Sequence, residues 1–185
     1  MPASRYFGTY FTYSRRARKM RRADGETRQY FLGFSTQSGK MERNMECDRL
    51  AIANQLARFA RTVDSRDWDA VGEVFADDVS FDYGDGREQS GIAAMRAQFR
   101  VFLGGCGPSQ HLIGSIAIEL DGDAAVSRAY VQARHQGRGD KADRIFDTHG
   151  DYVDRWARTP AGWRIVRRDA RWSMHVGDPS VLAPG

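Results

Sequence analysis

Between Ser109 and Met174 the chain is almost nothing but strand, broken only by turn chemistry. Ser109–Leu120 is apolar, β-branched and free of proline, and Asp121-Gly122-Asp123 ends it with turn residues. That pattern predicts a strand entering a hairpin. The returning run, Ala124–His135, alternates in twos. Ala125, Ser127, Ala129, Val131, Ala133 and His135 share one face, and Val126, Arg128, Tyr130, Gln132 and Arg134 share the other. Gln136–Asp143 reads as a loose polar loop. Phe146–Arg158 and Trp163–Met174 follow as two long strands joined through Thr159-Pro160-Ala161-Gly162. Such a meander has one fate: an antiparallel sheet that needs a second layer to cover its apolar face.

That layer is written upstream. Ile52, Leu56, Phe59 and Val63 recur with helical spacing, so Met45–Val63 is expected to be an amphipathic helix, broken at Asp64-Ser65-Arg66-Asp67. A second helix is expected from Trp68 to about Ala76, then a short strand at Val79–Tyr83. Ile92, Met95, Phe99 and Phe102 predict a third helix over Gly91–Leu103, stopped by Gly104-Gly105-Cys106-Gly107-Pro108. The fold class is therefore α+β, a strongly curved antiparallel sheet packed against three N-terminal helices. A cavity between the layers is the expected place for a site.

Charge divides the chain. Residues 1–43 hold ten Lys and Arg against three Asp and Glu, a net +7, which leaves −3 for the rest of a chain whose total is +4. The basic balance belongs to the leader, so it does not argue for nucleic-acid binding by the folded body. Residues 1–43 show no sustained period and no apolar signal core. They read as a disordered basic extension, an organellar presequence or sequence upstream of the start at Met41 or Met45. The domain is expected at 44–176, with a tail at 177–185. Two cysteines suggest neither a disulfide framework nor a zinc site, and a reducing cytoplasmic location is the default. No run is long enough to span a bilayer, and no metal or nucleotide motif is present.

Four polar residues stand out. His111 lies at the start of a strand, where it is either a structural histidine or a well-held group titrating near working pH. Asp64 ends a helix, where the macrodipole disfavours a carboxylate. It either caps the next helix or points inward to a polar partner. His135 closes a strand beside a polar loop, exposed or in a pocket. Arg168 is the only charge among Val166, Ala170 and Trp172 on its strand face, so it either pairs with a buried acid or faces an anionic group.

In order and spacing, these pieces resemble the nuclear transport factor 2-like superfamily, in its SnoaL-like, scytalone dehydratase-like branch. The resemblance covers about residues 46–174. Val63-Asp64-Ser65-Arg66-Asp67-Trp68 resembles the helix break that supplies an active-site tyrosine and aspartate; Asp64 matches and Val63 does not. Phe81-Asp82-Tyr83 resembles the strand with a second site tyrosine. Gln110-His111-Leu112-Ile113-Gly114 resembles the catalytic histidine segment, and His135-Gln136 the second histidine. A serine and asparagine pair of that family falls on Gly150 and Tyr152 and is absent. Gly150-Asp151-Tyr152-Val153-Asp154 and Gly162-Trp163-Arg164-Ile165 resemble the branch more generally.

The resemblance implies a cone of curved sheet, the cystatin-like α+β barrel, with Asp64 and His111 meeting inside. A carboxylate on one ring nitrogen fixes the tautomer and raises the basicity of the other. Such a base can take a proton α to a carbonyl, with Tyr83 or Tyr152 as donor to the enolate oxygen. The expected activity is a cofactor-independent dehydratase or isomerase acting on a small cyclic oxygenated compound, such as a polyketide, phenolic or steroid-like molecule. Asp64, His111 and Tyr83 are the expected catalytic residues; His135, Tyr152 and Arg168 are expected to bind substrate. The alternatives are a ligand-binding module without turnover and a dioxygenase small-subunit-like protein. Neither nucleic acid, membrane nor metal is an expected partner. The outer sheet face, read as Val153, Arg155, Ile165, Arg167 and Arg171 with Tyr130 and Val126, is expected to form a homodimer or homotrimer.

Overall fold

The first long helix ends where the alternation of its apolar face ends. In a computed structural model describing residues 36–182, α1 runs Thr36–Ser65 and buries Ile52, Leu56, Phe59 and Val63. The helix starts earlier than the expected Met45; expectations for residues 1–35 lie outside the described residues. The C-terminus of α1 is closed by two backbone bonds, Arg66 N to Val63 O (3.3 Å) and Asp67 N to Thr62 O (3.1 Å). This is the double-bonded helix stop that normally uses glycine at its left-handed position. Here Arg66 takes that position, at φ 61°.

The expected second helix does not form. Only a 3-10 turn, Ala70–Glu73, precedes strand β1 (Phe75–Asp82). Val74, Phe75, Val79 and Phe81 are poor helix formers that fit a pleated, buried surface, and all four are buried. A two-residue strand, β2 (Gln89–Ser90), leads into α2 (Ile92–Leu103). Then come β3 (Ser109–Asp121), β4 (Ala124–Gln136), β5 (Ile145–Thr159) and β6 (Gly162–Gly177). The expected tail carries a further 3-10 turn, Pro179–Leu182, with Val181 buried.

The strands form one sheet in the order β2-β1-β6-β5-β4-β3. It is mixed rather than purely antiparallel, because β1 enters beside β6 in parallel, with Phe81 opposite Arg168. The fold is thus α+β with two α-helices and a strongly curved six-stranded sheet. Register shifts interrupt the pairing of β3 with β4 between Gly114 and Ala117, and of β5 with β6 at His149/Gly150 and Arg155/Trp156. Ser115 sits in the first irregularity at φ 49°. Each bulge bends its strand and adds twist, which curls the sheet over α1.

One bulge corrects the expected outer face. Arg155 pairs with Arg167, but Trp156 pairs with Ile165, so Val166 is the extra residue. Before the bulge the inward set is Trp163 and Ile165; after it, Arg168 and Ala170. Ile165 therefore belongs to the core and is fully buried. Val153, Arg155, Arg167 and Arg171 are not in the buried core, and Tyr130 is 62% exposed.

Candidate functional site

The stop of α1 also places the chemistry. Asp64 lies in the last turn of α1, one residue before its end at Ser65, and Arg66 just beyond fans out across three elements. Its guanidinium donates to the Val63 carbonyl (2.6 Å), the Leu103 carbonyl at the end of α2 (2.9 Å) and the Gly107 carbonyl (2.8 Å). It also donates to the Ser109 hydroxyl at the start of β3 (2.7 Å). These bonds hold a non-glycine residue in the left-handed region and put a positive charge where the α1 dipole is negative. With β3 drawn to the end of α1, the Asp64 carboxylate meets it. Oδ1 accepts from the Ser109 hydroxyl (2.9 Å) and lies 2.7 Å from His111 Nδ1, while Oδ2 accepts from the His111 backbone N–H (3.0 Å).

Burial pushes the Asp64 carboxyl up, but the hydrogen bonds from His111 and Ser109 and the His111 charge outweigh it and hold it below the usual value. An ionised carboxylate only accepts, so Nδ1 of His111 carries a proton and Nε2 is the nitrogen that Asp64 leaves free. The side chain of His111 is 6% exposed. Its ring packs edge-on against Phe59 (6.4 Å) and His135 (5.5 Å between centroids).

His135 is buried. Its Nδ1 stands 3.0 Å from the Phe146 carbonyl, which can only accept, so here too Nε2 is the free nitrogen. Burial first, then the neighbouring His111, pushes its pKa down to about 4. His135 is therefore a neutral acceptor across the physiological range.

These groups line a cavity of about 180 Å³ between the helices and the sheet, with Phe59, Tyr83, His111, His135, Tyr152 and Trp172 among its walls. Tyr83 follows β1, and its carbonyl accepts from Trp172 Nε1 (2.8 Å). Gly84 permits this approach: a Cβ there would lie 2.7 Å from Trp172 Cδ1. The Tyr83 hydroxyl is buried without a hydrogen-bond partner among the described residues. Burial pushes it up to about 12, with the Arg168 charge pulling the other way. Tyr152 is buried beside it, the rings 6.3 Å apart, and burial raises its pKa as well. On the far side of the dyad, a second cavity of about 210 Å³ between α1 and β3 is lined by Asp64, His111, Ala57, Gln110 and Leu112.

Five of the six residues singled out from the sequence thus cluster: Asp64 with His111, and Tyr83, His111, His135 and Tyr152 around the first cavity. Arg168 stands apart. It is fully buried, does not line the cavity, and makes a two-pronged pair with buried Asp154, Nε to Oδ1 and Nη2 to Oδ2, both 2.7 Å. Sequence reading missed Asp154 as that partner. The signal was present: an acid sharing the Gly150, Tyr152 and Trp156 face, on the strand before the lone arginine. Ser109 and Arg66 were also missed, because their roles depend on three elements meeting. Among the described residues, no group of three or more His, Cys, Asp or Glu side chains could hold a metal ion. No helix among them is long and apolar enough to cross a membrane.

Comparisons with known proteins agree with this architecture. An uncharacterized protein of Mycobacterium tuberculosis is 32% identical over 125 residues, covering 65% of this chain and 82% of the relative. A provisionally assigned aromatic ring hydroxylase from Novosphingobium aromaticivorans superposes with a TM-score of 0.66 at 32% identity, over 73% of this chain and 96% of that one. A provisionally assigned scytalone dehydratase from the same organism shares the fold, with a TM-score of 0.63 at 18% identity over 81% and 97% of the two chains. The SnoaL-like domain model matches residues 46–169, well over half the sequence. On fold, on sequence and on the extent of that match, the chain belongs to the SnoaL-like domain family, within the nuclear transport factor 2-like superfamily.

Proposed function

We propose that this protein is a dehydratase or isomerase that needs no cofactor and begins its reaction by taking a proton next to a carbonyl. The observation that carries the reading is the 2.7 Å contact between His111 Nδ1 and Asp64 Oδ1 beside an apolar cavity. Asp64 holds the imidazole in one tautomer and stabilises the imidazolium that forms. His111 Nε2 accepts the proton from carbon, and the C–H electron pair moves into an enolate. Tyr83 donates to the enolate oxygen; its lone buried hydroxyl has that bond to give. Dehydration follows when the imidazolium returns its proton to a departing β-hydroxyl, and isomerisation when it returns it to another carbon. His135 Nε2 accepts from a substrate hydroxyl.

The cavity size narrows the substrate. A void of about 150 Å³ takes up benzene in other proteins. A site of about 180 Å³ suits one oxygenated ring and is small for a steroid skeleton. Tyr152 and Trp172 leave the cavity open, with Tyr83 and His111 in its wall, while Asp64 does not line it and reaches it through His111.

The test is exchange of the α-hydrogens of single-ring ketones in deuterium oxide, followed by NMR. The protein is expected to accelerate exchange of at least one ketone. Asp64→Asn and His111→Gln are each expected to lower the rate by about 10²–10⁴, the usual worth of a positioned base. Exchange no faster in the wild type than in these variants, across the panel, excludes the mechanism.

A further inference from the structure

Beneath the cavity floor lies an ion pair that the proposed chemistry does not use. Arg168 and Asp154 are both fully buried. Their two bonds occupy Nε and Nη2 of the guanidinium and leave Nη1 buried with no partner among the described residues. The guanidinium is held between two rings, 4.2 Å from the Phe59 centroid and 4.1 Å from that of Tyr152, with Phe75 at 5.1 Å. Buried pairs of this kind add little to stability compared with apolar residues of the same volume. This one stacks on the ring of Tyr152, and the Tyr83 ring lies 6.3 Å from that of Tyr152 in the cavity wall. Tyr83 and Tyr152 both feel the Arg168 charge, which opposes the effect of burial on each. The carboxylates of Asp154 and Asp64 act in the other direction, so Arg168 is the fixed cation of the cluster.

We propose that Arg168, clamped by Asp154, is a positioning residue that makes the Tyr83 and Tyr152 hydroxyls stronger donors than burial alone would leave them and so tunes the cavity for ligands whose oxygen carries negative charge, phenolates and enolates. A cation behind a phenol stabilises negative charge drawn onto its oxygen. The phenol then donates more strongly to an anionic acceptor than to a neutral one. Asp154 keeps the planar fork in register, so the charge is preorganised and does not move toward the ligand. The inference deepens the reading above, because an enolate is such a ligand, but it does not require turnover.

The experiment uses the full chain and 4-nitrophenol, a one-ring probe whose ionised form is visible by its colour. In the wild type, bound 4-nitrophenol is expected to ionise at least about one pH unit below the free compound, an at least tenfold preference for phenolate. In Arg168→Met/Asp154→Leu, which exchanges the pair for apolar bulk, that preference is expected to vanish while affinity for neutral 4-nitrotoluene is unchanged. Arg168→Lys, which keeps the charge and loses the fork, is expected to fall between and serves if the double variant does not fold. His111→Gln is expected to keep the preference even though it is expected to slow proton exchange, which separates this inference from the fate of the proposed base. Three results overturn it: a wild type that does not favour the phenolate, equal ionisation in the wild type and in the Arg168 variants, or loss of the preference in His111→Gln.

Discussion

The Arg66 guanidinium donates to the Ser109 hydroxyl at 2.7 Å, and Ser109 donates onward to Asp64. One residue thus ties the end of α1 to the carboxylate that holds His111. Arg66→Ala loses these bonds and keeps a Cβ at a positive φ. It is expected to cost about 2–4 kcal/mol by thermal or urea unfolding, since several buried carbonyls lose a charged donor. Arg66→Gly relieves the backbone and is expected to be somewhat more stable than Arg66→Ala, yet equally poor in proton exchange. Equal exchange rates for Arg66→Gly and the wild type are the result that removes Arg66 from the site.

Tyr83 offers a cleaner separation of stability from function. Among the described residues its hydroxyl has no hydrogen-bond partner at ordinary distance, although the Arg168 guanidinium acts on it. Tyr83→Phe is expected to leave the unfolding midpoint unchanged or slightly raised, and to lower kcat by about 10²–10³, the usual effect of deleting one donor to a developing oxyanion. A marked loss of stability with little loss of rate reverses the assignment.

The buried environment of His135 gives the molecule a pH dependence. His135 titrates near 4 in the folded chain against 6.5 for an ordinary histidine. Below pH 6.5 the unfolded chain binds a proton that the folded chain refuses, so stability falls as pH drops from about 6.5 to about 4. The loss across that window is at most about 3 kcal/mol. Asp64, held below the usual carboxylate value, adds a loss that begins lower and ends only below its folded pKa. Urea unfolding at intervals from pH 7.5 to 4 is expected to show the slope, and His135→Gln to flatten its upper part. An identical slope in the variant rules out His135 as its source.

Assembly is expected through the outer face of the sheet. Leu112 (57%), Tyr130 (62%), Met174 (50%) and Val176 (55%) are exposed there, and residues such as Tyr130 anchor interfaces. Sedimentation at micromolar concentration is expected to show a dimer or trimer, and Tyr130→Glu to shift it toward monomer. A monomer in the wild type rejects the expectation.

The strands from Ser109 onward were legible because alternation is strict and each turn carries its own chemistry. The helix and the dyad were legible for related reasons: one apolar stripe for α1, and a carboxylate and a histidine at the ends of elements that meet. What the sequence concealed is local geometry. The pattern at Trp68–Ala76 carries too few periodic positions to fix an α-helix, and the segment closes as a 3-10 turn before the buried strand β1 begins at Phe75 and pairs with β6. The Val166 bulge turns Ile165 inward, and nothing in the residue types marks it. Asp154 was readable only as a member of an inward face, and its partnership with Arg168 needs the β5–β6 register. Arg66 was hidden because glycine is the expected residue at its φ.

The bend at Ser115 has a consequence beyond the cavity. Strand β3 is the outermost strand on its side of the sheet and is 13 residues long. A straight edge of that length would offer a continuous row of free backbone groups on which a foreign strand could grow. Here the positive φ of Ser115 breaks the row midway, the His111 N–H is committed to Asp64, and the Ile118 carbonyl is taken by Arg49 of α1. The same distortion that curls the sheet around the cavity therefore protects the molecule against edge-to-edge aggregation.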